Sequence, residues 1–408
     1  MKLKDLLKKI GPGPLVTAAF IGPGTVTVCT LAGIQFDYTL LWALGLSLLA
    51  TLYLQEISGR LGLITRMDLS ELLKNQSQNQ IFKIFSLILV FIAIGLGNAA
   101  YEGGNLTGAN LGLGVFWEAP VWKMGSLTIQ TGALLFGALA FFLLWSGNYK
   151  ALEKVLIALV IFMSLAFLFA AGLTQPDWSA VFSGFVPVFD QEKLPTIVAL
   201  IGTTVVPYNL FLYASLAKNK WNQPSEIDPM RWDISLAVIL GVGVSMSILI
   251  VGVANPVTQL QTASDIAQGL SGVFGKFASF LMGFGLMAAG LTSTITAPLA
   301  GGLVICGLLG KSQEIQSTSM RISMGSILLL GVVVSSLGVR PFYLITLAQL
   351  ANGILLPIIS SWLIWAGSQS RYLGNQVNSK VWTLFGFLIW VLTLVLGLKS
   401  LGSVLGWF

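Results

Sequence analysis

Long apolar stretches alternate with short polar connectors rich in proline and glycine along the whole chain. Leu127–Trp145, Val155–Leu173 and Trp382–Leu398 carry no charge, and Ile84–Leu96 sits inside a longer run of the same kind. Such stretches reach or approach the roughly 20 residues an α-helix needs to cross a hydrocarbon core. The pattern predicts helices near 12–35, 39–62, 82–112, 126–146, 151–173, 194–218, 231–254, 272–309, 320–338, 342–367 and 380–398, with no soluble domain between any two. Met1–Lys9, with its four lysines, predicts a short basic amphipathic helix, since no small-residue cleavage site accompanies it.

Composition turns this pattern into a statement about solvent. The 408 residues are 55% hydrophobic and 9% charged, with a mean hydropathy of +0.85. Soluble domains carry about 25% charged residues, so most of this surface must face lipid. With the N-terminus inside, the connectors outside hold Lys123, Lys193, Lys276, Arg340 and Lys399, and the other 17 of the 22 Lys and Arg lie inside. That asymmetry orients a multi-pass protein in a plasma (inner) membrane. The net charge of +6 therefore faces the lipid bilayer, and no nucleic-acid partner is expected. Cys29 and Cys306 lie in apolar surroundings, at no ligand or disulfide spacing. Histidine is absent, which removes the usual proton shuttle and the commonest transition-metal ligand. No nucleophile–base pair or metal cluster stands out, so an enzyme is not expected, and neither is a cofactor. Trp117, Trp122, Trp178 and Trp221 fit interfacial belts.

Two predicted helices are interrupted. The first carries Gly22-Pro23-Gly24, and the sixth carries Val205-Val206-Pro207-Tyr208 after Gly202-Thr203-Thr204. Proline removes a backbone donor and obstructs the preceding turn, while glycine permits unwinding. Broken backbone survives in a membrane only where protein or a wet cavity satisfies it. Breaks in the first helix of each of two five-helix halves mark inverted-repeat transporters, with the substrate at the breaks. The alternative is a pair of kinks in a structural bundle.

These residues also carry a resemblance. Gly11-Pro12-Gly13-Pro14-Leu15-Val16, Pro23-Gly24, Ala32-Gly33-Ile34-Gln35-Phe36 and Tyr38-Thr39-Leu40-Leu41 resemble the first helix of the Nramp family. The likeness continues through Leu54-Gln55-Glu56, Arg60-Leu61-Gly62, Asp68-Leu69, Leu152-Glu153-Lys154, Ala199–Thr204, Asn209–Leu212, Ala289-Gly290, Ser293–Thr296 and Ala300-Gly301. It implies an all-α integral membrane protein with the LeuT fold. Two inverted five-helix repeats (1–173 and 194–367) and one extra helix (380–398) make about 11 transmembrane helices. Metal-transporting members move Mn²⁺ or Fe²⁺ with protons. The resemblance places their ligands in Asp-Pro-Gly-Asn and Met-Pro-His motifs, where this chain has Gly22-Pro23-Gly24-Thr25 and Val206-Pro207-Tyr208. A second histidine of the sixth helix corresponds to Tyr213, an acidic pair of the third to Ala99 and Glu102, and a glutamine of the eighth to Leu291.

Those departures lead to an expectation about substrate. Without carboxylate, sulfur or imidazole at the breaks, no transition-metal site is expected, and the restarted half-helices offer N-termini suited to an anion. The expected substrate is a small inorganic anion, most of all bicarbonate, which the departures share with a divergent Nramp-related branch. Gly22, Gly24, Thr25, Thr203, Thr204 and Tyr208 would bind it. Anion uptake against an inside-negative potential needs a co-transported cation. Na⁺ is the expected coupling ion, held by Thr292, Ser293 and Thr294 with the carbonyls of Ala19 or Phe20, as in LeuT-fold relatives. Glu102, Gln349 and Asn352 are candidates for pathway or gating, or for bonds between helices. The alternatives are a divalent metal cation (Mn²⁺/Mg²⁺) transporter of the Nramp type and a non-transporting sensor on the same scaffold.

Overall fold

A computed structural model describes residues 11–75, 80–125, 127–147, 149–257, 259–337 and 339–404. The amphipathic helix expected at Met1–Lys9 lies outside these residues. The chain folds into helices, as the apolar runs predict. Pro14 sits in the first turn of α1 (Gly13–Phe20), where a missing N–H costs nothing. The helix stops at Ile21, whose N–H reaches the Thr17 carbonyl at 3.0 Å. Gly22 is extended, and Pro23 starts α2 (Pro23–Phe36). After a 3₁₀ turn over Asp37–Leu40 come α3 (Leu41–Thr65), α4 (Leu69–Asn75) and α5 (Gln80–Leu113).

A β-hairpin follows, which the sequence reading missed. Leu127–Gln130 belong to strand β2, paired antiparallel with β1 (Val121–Met124) in the register Val121↔Gln130 and Met124↔Leu127. The helix expected from 126 therefore begins at Thr131, as α6 (Thr131–Ser146). Apolar residues with β-branching suit either state, and Gly125, at φ 62°, supplies the turn that decides it. Next come α7 (Tyr149–Leu173) and a short α8 (Trp178–Ser183), whose Asp177 cap accepts the Ser179 N–H at 2.9 Å.

The second half repeats the interruption. Helix α9 (Leu194–Thr204) ends where the Val205 N–H bonds the Ile201 carbonyl, and α10 (Pro207–Lys220) restarts on proline. Helix α11 (Ile227–Val253) is followed by α12 (Ala263–Phe274) and α13 (Phe277–Leu309). The single helix expected over 272–309 is thus two, separated at Gly275, whose φ of 53° and ψ of −133° is a conformation for glycine. Then follow α14 (Thr318–Ser335), α15 (Pro341–Gly367), a short α16 (Ser370–Leu373) and α17 (Lys380–Val404).

Burial sorts these helices into layers. The most apolar window of Leu194–Lys220 is 100% buried, whereas that of Lys380–Lys399 is 28% buried. The interrupted sixth helix is therefore central, and the extra helix is a peripheral lipid-facing one. Helices α5 and α13 flank the centre and approach closely, because a Cβ on Gly290 would meet Ala109 within 2.5–2.8 Å. Small residues permit such approach in a membrane, where apolar burial does little to hold helices together. Trp117, Trp122 and Trp178 are exposed, as interfacial residues should be. Trp221 is not. It is buried under Gly11, and its carbonyl accepts from Arg66.

Candidate functional site

The two breaks face each other across the core, and tyrosines hold them together. Tyr208 follows Pro207 at the restart of the sixth helix, and its hydroxyl donates to the Ala19 carbonyl at 3.1 Å. Tyr101 of α5 donates to the same carbonyl at 3.4 Å and meets the Tyr208 ring edge-on at 5.5 Å between centroids. Gln349 of α15 packs over Gly24 so closely that a Cβ there would collide with its amide. Ser293 of α13 lies against Gly22 in the same way, with the Asn105 Oδ1 at 3.6 Å from where that Cβ would be.

These contacts place each candidate residue. Gly22, Gly24, Thr25, Tyr208, Ser293 and Gln349 come together around the breaks. Thr203 and Thr204 are buried there too, but their hydroxyls donate back to the Leu200 carbonyl at 2.8 and 3.4 Å, which is helix-end chemistry. Thr292 likewise donates to the Ala289 carbonyl at 2.8 Å. The Ala19 carbonyl, expected as a sodium ligand, already accepts two tyrosines; Phe20 ends α1. The Tyr208 hydroxyl, expected as an anion donor, is committed to Ala19. We expect Tyr208→Phe to lower stability by about 0.5–1.5 kcal/mol, the worth of one ordinary hydrogen bond, as read by thermal unfolding in detergent.

Glu102 supplies the site's charge. It is fully buried midway along α5, and its stem packs against Gly331 of α14. The Asn105 amide donates to its Oε2 at 3.3 Å. The Thr294 hydroxyl lies beside the carboxylate, outside hydrogen-bond geometry, and Oε1 has no partner. Asn105 continues the line from Glu102 to Gly22 and Ser293. Further buried polar atoms lack partners nearby: Ser293 Oγ, Gln349 Oε1, Asn352 Nδ2, and both amide atoms of Asn209. The arrangement is one carboxylate with neutral oxygens around it. Among the described residues no group of three His, Cys, Asp or Glu converges.

Other buried acids, which the sequence reading did not single out, are already answered by the chain. Glu56 pairs with Arg60 at 3.0 Å and Arg231 at 2.9 Å. Asp68 pairs with Lys218 at 2.8 Å. Asp233 of α11 accepts the backbone N–H groups of Gly11 and Gly13 at 2.7 and 2.8 Å and the Tyr213 hydroxyl at 3.1 Å. These groups tie α3, α10, α11 and the start of α1 together at the end that the basic connectors place in the cytoplasm. Toward the other end, a depression of about 410 Å³ opens beside Gln35, Phe36, Glu192 and Thr196. Glu56 and Arg60 form an i,i+4 pair, the sequence signal that was there to find.

Comparison with known proteins supplies the family and the fold. Residues 13–403 match the family model described as Nramp, natural resistance-associated macrophage protein-like. The chain belongs to this family. It is 28% identical over 413 residues to a divalent metal cation transporter, MntH 1, of Pseudomonas aeruginosa, covering 95% of this chain and 90% of that one. It is 28% identical to the divalent metal cation transporter MntH of a Nostoc species, covering 99% and 93%. Among solved structures, an Eremococcus coleocola manganese transporter superposes with a TM-score of 0.81 at 22% identity, covering 98% of this chain and 87% of that one. MhsT bound to L-phenylalanine superposes at 0.65 and 15% identity, covering 97% and 98%. The fold is therefore the LeuT-like one of a multi-pass membrane protein.

These findings correct the expected substrate. The small inorganic anion, bicarbonate, and its sodium symport are overturned by relatives that are named divalent metal cation transporters over nearly their full length. The expectation gave most weight to the missing carboxylate, sulfur and imidazole at positions 22, 206 and 208, and treated Glu102 only as a pathway or gating candidate. Glu102, on a neighbouring helix, is a buried carboxylate that no cation accompanies among the described residues.

Proposed function

We propose that this protein is a secondary transporter of a divalent metal cation of the Mn²⁺/Mg²⁺ class, bound between the two helix breaks. One observation carries the reading: of the buried acids, Glu102 alone has neither a cation nor a backbone N–H to answer it among the described residues. An uncompensated carboxylate in a membrane interior costs several kcal/mol, and intramembrane acids of this kind usually mark ion pathways. A divalent cation supplies the missing charge.

The surrounding donors fit a hard ion. Carboxylate, amide and hydroxyl oxygens suit Mn²⁺ and Mg²⁺, whereas thiolate and imidazole, which would favour softer metals, are not among the groups gathered here. The last carbonyls of α1 and α9 lack helical partners and carry the negative end of each helix dipole. Those beyond Ala19 are available to an ion at the breaks. With few charged ligands, the ion would keep part of its water shell, which Mg²⁺ in particular gives up reluctantly. Between cycles a proton on Glu102 would neutralise the same carboxylate, coupling metal to proton without a histidine.

The test is uptake by proteoliposomes. Mn²⁺ or Mg²⁺ should accumulate, each should slow uptake of the other, and replacing Na⁺ with choline should leave the rate unchanged. No uptake of either metal by correctly folded protein would refute the proposal.

A further inference from the structure

We infer that the groove between α6 and α14 is a binding site for an anionic phospholipid of the cytoplasmic leaflet, with its phosphate on Arg321. The groove has a volume of about 600 Å³ and lies on the lipid-facing side of the bundle, remote from the helix breaks. Its walls are Leu134, Phe141, Leu329 and Val332, with Gly137 and Gly325 at its floor. The two glycines keep it open: a Cβ on Gly325 would touch Phe141 at 3.5 Å, and one on Gly137 would touch Val332 at 3.3 Å. From Leu134 to Trp145 the groove follows α6 for about 16 Å, at 1.5 Å per residue. That is close to the depth of one leaflet, half of a hydrocarbon core of about 30 Å. A single acyl chain lying along it would cover Leu134, Phe141 and Leu329, which the protein leaves exposed.

The cytoplasmic end of the groove supplies the charge. The Arg321 guanidinium lies 4.5 Å over the Trp145 ring, and its Nη2 donates to the Trp145 carbonyl at 3.0 Å in the last turn of α6. Stacking and this bond fix the plane of the guanidinium. The Nε is buried within the protein, and no carboxylate pairs with Arg321 among the described residues, so the charge is left to the Nη edge. An oriented guanidinium without a counter-charge presents its Nη edge to a phosphate. Trp145 beside it is the residue type that settles at headgroup level. A free phosphate would meet Arg321 but find nothing along the apolar walls, so a phosphate that carries a hydrocarbon chain fits both ends of the site.

The experiment uses full-length protein in lipid-poor detergent, titrated separately with phosphatidylglycerol, phosphatidylcholine and inorganic phosphate. Bound lipid is counted by native mass spectrometry and thermal unfolding is followed in parallel. Wild-type protein should retain phosphatidylglycerol about fivefold more tightly than phosphatidylcholine, the worth of one cation at an anionic lipid surface. Arg321→Gln should abolish that preference. Gly325→Leu, which fills the groove and leaves the cation, should weaken retention of both lipids. Arg321→Lys keeps the charge without the fork and should fall between, which preserves the test if the glutamine variant expresses poorly. Equal retention of the two lipids by wild type would overturn the site, as would an Arg321→Gln protein that still prefers phosphatidylglycerol. A thermal shift with inorganic phosphate equal to that with phosphatidylglycerol would show a bare anion site and overturn the lipid assignment.

Discussion

Glu102→Gln should reduce metal uptake at least about a hundredfold while the protein remains folded. The substitution keeps shape and polarity and removes only the charge. If a divalent ion is held by this carboxylate, losing it forfeits a charge-assisted contact in a low-dielectric site, where roughly 3 kcal/mol is a modest figure, and each 1.4 kcal/mol is tenfold. The stability change should have the opposite sign. An unpaired buried carboxylate weakens the fold, so the neutral amide should raise the unfolding temperature in metal-free detergent. The pair of measurements separates the proposal from a structural role. Were Glu102 merely a hydrogen-bond acceptor for Asn105, the glutamine would change uptake little. If Glu102→Gln takes up Mn²⁺ and Mg²⁺ with wild-type affinity, the ion binds elsewhere.

The fold was legible because its strongest signals are local. Apolar runs of membrane length, and Pro23 and Pro207 beside glycine or β-branched residues, fix the helices and their breaks whatever surrounds them. Where tertiary context decides, the sequence was ambiguous. Leu127–Gln130 read as the start of the helix expected from 126, and the pairing with Val121–Met124 makes them a strand instead. Residues of the candidate site were visible one by one, but not the relation between them. Ser293, Thr294, Gln349 and Glu102 were all picked out, yet their joint meaning depends on Asn105 carrying Glu102 to the helix 1 break, a relation between chain positions with no local pattern. Thr203 and Tyr208 misled for a related reason. A hydroxyl in sequence is an unassigned donor, and only the structure shows that Leu200 and Ala19 have already taken these two.

The second large effect is expected at Asp233, at the cytoplasmic end. Its carboxylate holds the start of the first helix through the N–H groups of Gly11 and Gly13, and holds α10 through Tyr213. The first turn of a helix has unpaired N–H groups and a partial positive charge, so an anion there is favourable twice over. Thr17 adds a bond to the Ala237 carbonyl at 3.0 Å on the same face of α11. Under the proposed function, transport by alternating access requires this end to open, and these bonds would then break in each cycle. Asp233→Ala removes three hydrogen bonds to a carboxylate, each worth about 1.5–3 kcal/mol. Water reaching the freed N–H groups returns part of that. A net bias of about 3 kcal/mol toward the open arrangement corresponds to more than a hundredfold shift in population. A cysteine in place of Thr17 in a background lacking Cys29 and Cys306 reports it, because Thr17 is buried against α11 and cysteine fits the space its side chain already fills. Cytoplasmic-side labelling of that cysteine should be slow with Asp233 intact and fast in Asp233→Ala, while metal uptake falls because the outward-accepting state is depleted. Labelling at the same rate in both proteins would show that Asp233 caps the helix without latching the gate.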